Sequence, residues 1–359
     1  MKILYVGTLN PGGTCFSRLQ ALRDMESDVA TFDVDQHLGL HELPWWHQHL
    51  EAFTLCGPRT MKANAALRRS FARVRPDLVW IDKGDWIAPS TVKSIRTAGA
   101  FLVHHNTDAL YPTNALLRFD RRRLRSTASN FDVFFTTNID DYRLLKKNGE
   151  IRAELTHLGY AHQRFEPSPL SDELGEIWNH PMSFAGHYEP RTAAGMEALV
   201  DAGLPLSIFG YHWDRSDGQG KLAPHIRGPL ADEDYVRALK GAQIGLCFVS
   251  ELNYNQTASR SFEIPACGTF LLAMRTPQHL EAYEEGQEAE FFGDNEELVQ
   301  KVRYYLEHDE ERRAIARRGH ERCVGSCSSW HKLMRRDWSR TLEIYHASRP
   351  SKLHHRDDR

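Results

Sequence analysis

Short apolar runs recur along this chain, and nearly every one is followed by a stretch with helical periodicity. Lys2 to Gly7, Asp28 to Val34, Leu78 to Ile81, Gly99 to Val103 and the segment from Phe131 read as strands. Helices are expected through Phe16, Leu19, Leu22 and Met25, and over Met61 to Arg73, Pro89 to Thr97 and Asp140 to Lys147. The pattern restarts at Pro181, with strands at Met182 to Ala185, Leu204 to Phe209 and Ile244 to Phe248, and helices at Arg191 to Asp201 and Asp232 to Lys240. Runs this short and apolar suit strands buried on both faces, and strand-helix alternation builds a parallel sheet. The chain is therefore expected to be α/β with two doubly wound sheets, and its 359 residues suit two domains better than one.

The stretch Ala258 to Ala273, A-S-R-S-F-E-I-P-A-C-G-T-F-L-L-A, concentrates charge at a helix-to-strand junction. Arg260 and Glu263 lie three apart, so a helix puts them on one face. Pro265 and Gly268 are expected to close that helix, and Thr269 to Ala273 to form a buried strand. Open α/β sheets bind ligands at such junctions, though a surface ion pair has the same spacing. Two further pieces end strands in glycine. In S-F-A-G-H-Y-E-P-R, backbone N–H groups after Gly186, together with Arg191, suit a diphosphate. In I-F-G-Y-H-W, Gly210 precedes Tyr211 and Trp213, which can flank a planar base.

The wording R-S-F-E-I-P-A-C-G resembles the nucleotide-sugar signature of the GT-B glycosyltransferases, close to the branch that includes the CgeB-like spore maturation proteins. The resemblance implies two Rossmann-like domains facing a cleft: residues 1–165 on the acceptor side, 166–329 on the donor side, a helix over 330–349 returning to the first domain, and a disordered tail over 350–359. The glutamate before A-C-G holds the donor ribose in group 1 relatives, a role that falls on Glu263. Those relatives carry a second glutamate eight positions earlier, where this chain has Asn255, so the sugar and the stereochemical outcome stay open. Transfer from a UDP- or GDP-type sugar is the implied activity, with retention as the default. The acceptor, whether glycan, lipid, protein or small molecule, is not readable. A nucleotide-sugar epimerase or a non-catalytic binding scaffold are the alternatives.

In the first half, Pro11-Gly12-Gly13 follows the first strand without a full G-x-G-x-x-G pattern. The resemblance puts Gly12 and Gly13 near donor phosphates or acceptor; a tight turn explains them equally well. His104-His105-Asn106-Thr107-Asp108 is expected just after a strand, with His105 or Asp108 as a base or acceptor-orienting group, or else as a core histidine and a helix cap. Asp35 to Pro58 reads as a long irregular loop in which His41, His47 and His49 surround Trp45-Trp46; acceptor contact or plain surface is expected there rather than a metal. Arg118, Arg121, Arg122, Arg123 and Arg125 on a basic helix suit an anionic acceptor, peripheral contact with a membrane or a solvated face.

No Asp-x-Asp metal motif stands ahead of a suitable strand, so positive charge for a leaving diphosphate is expected from Arg191, Arg260 and helix N-termini, without metal or other cofactor. A formal charge of −3 with 26% charged residues gives no sign of nucleic-acid binding. Six cysteines without a C-x-x-C pair predict reduced thiols, and the lack of an apolar run of about 18 residues places the chain in the cytoplasm. Amphipathic helices are expected over Asp294 to Arg318, and a last helix over Trp330 to Tyr345.

Overall fold

The computed structural model describes residues 1–39, 51, 54, 57–112, 121–149, 151–215, 220–230, 232–251, 253–326 and 328–348. The histidine-tryptophan segment around His41, His47 and His49, Arg118, Cys56, Cys327 and the tail over 350–359 lie outside the described residues. The chain divides into two compact units, Met1 to His157 with the chain from His331 onward, and Leu158 to Trp330.

The first unit holds β1 (Ile3–Gly7), α1 (Thr14–Arg23), β2 (Val29–Asp33), α2 (Val34–Leu38), α3 (Pro58–Val74), β3 (Leu78–Asp82), α4 (Pro89–Thr97), β4 (Phe101–Asn106), α5 (Arg122–Thr127), β5 (Val133–Thr136), α6 (Ile139–Asn148) and β6 (Ala153–Leu155). Its strands run parallel in the order β2-β1-β3-β4-β5-β6. Every residue of β1, β3, β4 and β5 is buried, because helices cover both faces. One face packs Leu4, Val6, Val79, Ile81 and Phe134. The other packs Ile3, Tyr5, Trp80 and Phe135 with Met334, Trp338 and Ile344 of the last helix. Asn138 caps α6 by accepting from the N–H groups of Asp140 and Asp141.

The second unit continues with α7 (Asp172–Trp178), β7 (His180–Ala185), α8 (Pro190–Asp201), β8 (Ser207–Phe209), β9 (Ile226–Gly228), α9 (Asp232–Lys240), β10 (Ala242–Cys247), α10 (Arg260–Ala266), β11 (Phe270–Met274), α11 (Pro277–Ala282), β12 (Glu290–Phe292), α12 (Asn295–Glu307) and α13 (Asp309–Gly325); α14 (Trp330–Ser348) begins at its last residue. The parallel order β12-β11-β10-β7-β8-β9 brings β7, β8 and β10 together at the middle of the sheet.

Three local expectations are corrected. Strand β4 runs on to Asn106, so His104 and His105 are strand residues paired with Ile81 and Asp82 rather than a loop beyond the strand. Pro265 lies inside α10 instead of closing it. Among the described residues, the basic segment is helical only over Arg122–Thr127, followed by a 3-10 turn at Ala128–Asn130. Short elements with little hydrophobic pattern, β6, α7, β9, α11 and β12, were not anticipated.

Candidate functional site

The carboxyl ends of β7 and β8 open into a cleft of about 190 Å³, lined by Gly186, His187, Gly210, Tyr211, Tyr235 and Arg260 among others. Its shape depends on backbone approaching backbone. Gly210, at φ +141°, would place a Cβ 1.9 Å from the Gly186 carbonyl oxygen, so only glycine fits. A Cβ on Gly186 would meet the Phe184 ring at 2.7 Å and the Arg260 guanidinium at 3.0 Å. The two loops are hydrogen-bonded to each other, Gly186 N–H to Phe209 C=O at 2.8 Å and Tyr188 N–H to Tyr211 C=O at 3.1 Å. The N–H groups of Gly186 and Gly210 are both taken up in this pairing, Gly210 donating to Gly228 C=O.

Arg260 is the cation of this cleft. Its guanidinium lies over the Phe184 ring, 5.1 Å from the centroid, and donates to the Phe248 carbonyl at 3.3 Å, while its buried Nε has no partner. Glu263 follows one turn later, 7% exposed, and accepts from the Tyr235 hydroxyl at 2.6 Å. Burial raises the Glu263 carboxyl above its ordinary value, opposed by the Tyr235 hydrogen bond and Arg260.

Helix α10, which carries both charges, is anchored from behind. Ala258 N–H donates to Ser261 Oγ at 2.9 Å, Ser261 stands 2.7 Å from His279 Nε2, and His279 Nδ1 stands 2.6 Å from the Met274 carbonyl. A carbonyl only accepts, so Nδ1 carries the proton and Ser261 donates to Nε2. Burial depresses His279 to about 4, keeping it neutral. Pro265 has no N–H for the Ser261 carbonyl one turn back, and the Tyr283 hydroxyl donates there instead at 2.9 Å. The proline is thus accommodated within the helix.

The other expected donor residues are placed differently. Tyr211 is 54% exposed at the cleft, facing His187 with ring centroids 5.8 Å apart. Trp213 is 2% exposed in the core, its indole N–H donating to Gly186 C=O, so it shapes the loop and has no face for a base. Arg191 is outside the lining residues, in an exposed pair with Glu251 at 2.9 Å. Asn255 is half-buried on the loop between β10 and α10.

In the first unit, the carboxyl ends of the strands hold an ion pair absent from the sequence reading. Asp82 accepts from Arg18 Nε at 2.6 Å, Arg18 Nη2 at 2.8 Å and the Tyr5 hydroxyl at 2.5 Å, with both charged side chains fully buried. Burial alone would raise the Asp82 carboxyl, but Arg18 and the hydrogen bonds hold it well below the usual range. The signal was an arginine on the inward face of α1 beside Cys15, Leu19 and Leu22.

His105 stands 3.9 Å from Asp82, 1% exposed, and burial followed by Arg18 depresses it to about 3. It is therefore a buried residue of the sheet rather than one exposed beyond the strand end. His104 points to the opposite face, stacked on Phe134 with centroids 4.7 Å apart, and burial lowers it to about 4. Asp108 pairs with Lys83 at 3.5 Å and Arg121 at 3.3 Å. Gly12, at φ +85°, and Gly13 form the turn before α1. Of the basic cluster, Arg121 also pairs with Asp85, Arg122 donates to Thr54 C=O, and Arg125 donates to Leu110 C=O. These three side chains are half-buried.

Residues 191–335 match the family model described as Glycosyl transferase-like. No curated protein sequence matches the chain. Among solved structures, sucrose-phosphate synthase from Thermosynechococcus elongatus is similar over 97% of this chain and 100% of its own, with TM-score 0.70 and 14% identity. The chain has the GT-B fold. The Anabaena protein HepE in complex with UDP-glucose matches this GT-B chain over 96% of it and 99% of HepE, at TM-score 0.68 and 15% identity. A UDP-N-acetylglucosamine 2-epimerase candidate from Listeria monocytogenes matches over 98% of each chain, at TM-score 0.60 and 13% identity. Among the described residues, no helix is long and apolar enough to cross a membrane and no group of three His, Cys, Asp or Glu side chains is placed to hold a metal ion.

Proposed function

We propose that this protein is a glycosyltransferase that moves a sugar from a nucleoside-diphosphate sugar, of UDP or GDP type, to an acceptor of unassigned class. The observation that carries the reading is Arg260 held over Phe184 at the wall of a glycine-walled cleft, one turn before the buried carboxylate of Glu263. A leaving nucleoside diphosphate develops negative charge, and a positioned guanidinium in a partly desolvated wall stabilises it. The His187 N–H, which has no backbone hydrogen bond among the described residues, is a second donor at the same wall. Tyr211 is the exposed aromatic surface for a base, and Glu263 the acceptor for ribose hydroxyls. In this reading the positive charge comes from the protein, so transfer proceeds without a metal, in the cytoplasm, with retention as the default and membership of a CgeB-like subfamily.

The Glycosyl transferase-like match over 191–335 covers the cleft's Arg260 and Tyr235, and the HepE complex with UDP-glucose makes UDP the first nucleotide to try. A second reading, epimerisation of the nucleotide sugar, is favoured by the Listeria likeness alone. A scaffold that binds without turnover accommodates Asn255 in place of a glutamate.

The test is a thermal-shift panel of UDP, GDP, dTDP, ADP and CMP, with and without magnesium, on the wild type and Glu263→Ala. A ligand at a hundred times its Kd stabilises by about 2.7 kcal/mol, a shift of a few degrees. One nucleoside diphosphate is expected to shift the wild type without magnesium and to lose its effect in the variant. No shift with any nucleotide removes the donor assignment. Incubation with the matching nucleotide sugar then separates the readings: diphosphate release marks transfer or hydrolysis, an altered intact nucleotide sugar marks epimerisation, and no turnover marks a scaffold.

A further inference from the structure

Tyr235 stands at the cleft wall with Arg260, while the Glu263 carboxylate behind it is not among the lining residues. The tyrosine ring is itself fixed, with Phe165 edge-on at 90° and 6.1 Å between centroids. Its hydroxyl has one proton and gives it to Glu263 Oε2. Among the described residues, this is the hydrogen bond the Glu263 carboxylate makes, and it engages one oxygen of the two. A glutamate carries three rotatable bonds, and an unrestrained one loses rotamer freedom when a ligand fixes it. Here that restraint exists before any ligand arrives.

Resting on the donor reading above, we propose that Tyr235 is a positioning residue that pins one oxygen of Glu263 and thereby aims the other at the vicinal hydroxyls of a ribose, making the cleft selective for ribonucleotides over deoxyribonucleotides. Two features besides the bond support it. Tyr235 is on α9 and Glu263 on α10, so the contact locks a side chain across two elements that flank the cleft. Burial also disfavours the ionised carboxyl, and the phenol hydrogen bond, with Arg260, acts against that effect. A phenylalanine at 235 keeps the ring contact with Phe165 and removes only the bond.

The experiment is isothermal titration of UDP and 2′,3′-dideoxy-UDP, with GDP and its dideoxy analogue in parallel, into wild type, Tyr235→Phe and Glu263→Gln. The wild type is expected to prefer the ribonucleotide by about tenfold or more, the scale of a hydrogen bond to a charged group. Tyr235→Phe is expected to bring the preference to within about threefold by weakening the ribonucleotide, with dideoxy binding unchanged. A general packing defect would weaken both nucleotides alike and overturns the proposal, as does a full ribose preference in Tyr235→Phe. Tyr235→Leu gives the same two outcomes should the phenylalanine variant not fold. Wild-type binding without any ribose preference sinks this proposal and leaves the donor reading intact, whereas no binding of either nucleotide by the wild type sinks the donor reading itself.

Discussion

Gly210 and Gly186 meet so closely that a single methyl group between them would lie 1.9 Å from a carbonyl oxygen. That approach lets the loops after β7 and β8 run side by side, with Gly186 N–H on Phe209 C=O and the Trp213 indole on Gly186 C=O. The cleft follows from this pairing, since a wider separation would draw Arg260 and Tyr211 away from a common wall.

Gly210→Ala is therefore expected to lower stability by about 2 kcal/mol or more, through the clash and the left-handed strain together. Gly203→Ala is the control, because Gly203 also has positive φ, +70°, but open space around its Cβ, and strain alone costs about 1 kcal/mol. Thermal melts of both variants check it. Equal losses would show that the contact with Gly186 has no energetic weight.

Three buried imidazoles make stability depend on pH below neutrality. Burial lowers His104 and His279 to about 4 and His105 to about 3, from an ordinary value of 6.5. Between those values the unfolded chain binds protons that the folded chain refuses, so their contribution is complete above about pH 6.5 and is lost as pH falls towards 4 and 3. By pH 5 this amounts to about 2 kcal/mol for each. His104→Phe, in a pocket already made of Phe131 and Phe134, removes one share. Urea midpoints at pH 7.5 and pH 5 are expected to fall less in the variant; an identical fall would mean that His104 is protonated in the folded protein.

The parallel architecture was legible because β1 and β11 are apolar end to end and β3 is apolar up to Ile81, and such runs between helical patterns admit few other folds. Glu263, Arg260 and the two glycines were legible for the same reason, as they end strands or start a helix whose place the alternation fixes. Tyr235, Asp82 and the Ser261–His279 chain were not. Each depends on a partner far along the sequence, 28 positions for Tyr235 and Glu263 and 64 for Arg18 and Asp82, which no local period encodes. The burial of His105 was hidden for the complementary reason: a strand carried three residues further buries polar side chains that a strand ending at Val103 would have exposed.

Asp82→Ala is expected to cost about 3–5 kcal/mol, since it leaves the Arg18 guanidinium buried without its counterion. The double variant Arg18→Met, Asp82→Leu removes both charges and is expected to be more stable than the single one. Denaturant unfolding of the wild type, Arg18→Met, Asp82→Leu and the double variant closes the cycle and measures the coupling directly. Additive losses would mean that the buried charges act independently.

Arg260 offers the sharpest test of what the cleft recognises. Its guanidinium lies over Phe184, and it carries a planar fork of donors that lysine does not possess, so the proposed diphosphate contact distinguishes the two side chains. Arg260→Lys and Arg260→Met both keep an apolar stem against Phe184, the first retaining charge and the second removing it. Titration of UDP against uridine into each is the measurement. UDP is expected to weaken about tenfold or more in the lysine variant and further in the methionine variant, while uridine binding stays within about threefold of wild type, because losing a charged hydrogen bond costs about 1.5–3 kcal/mol and uridine has no phosphate to lose it. Raised salt is expected to weaken UDP in the wild type more than in Arg260→Met. Parallel losses of uridine and UDP would instead assign Arg260 to holding the wall of the cleft, with the diphosphate read elsewhere.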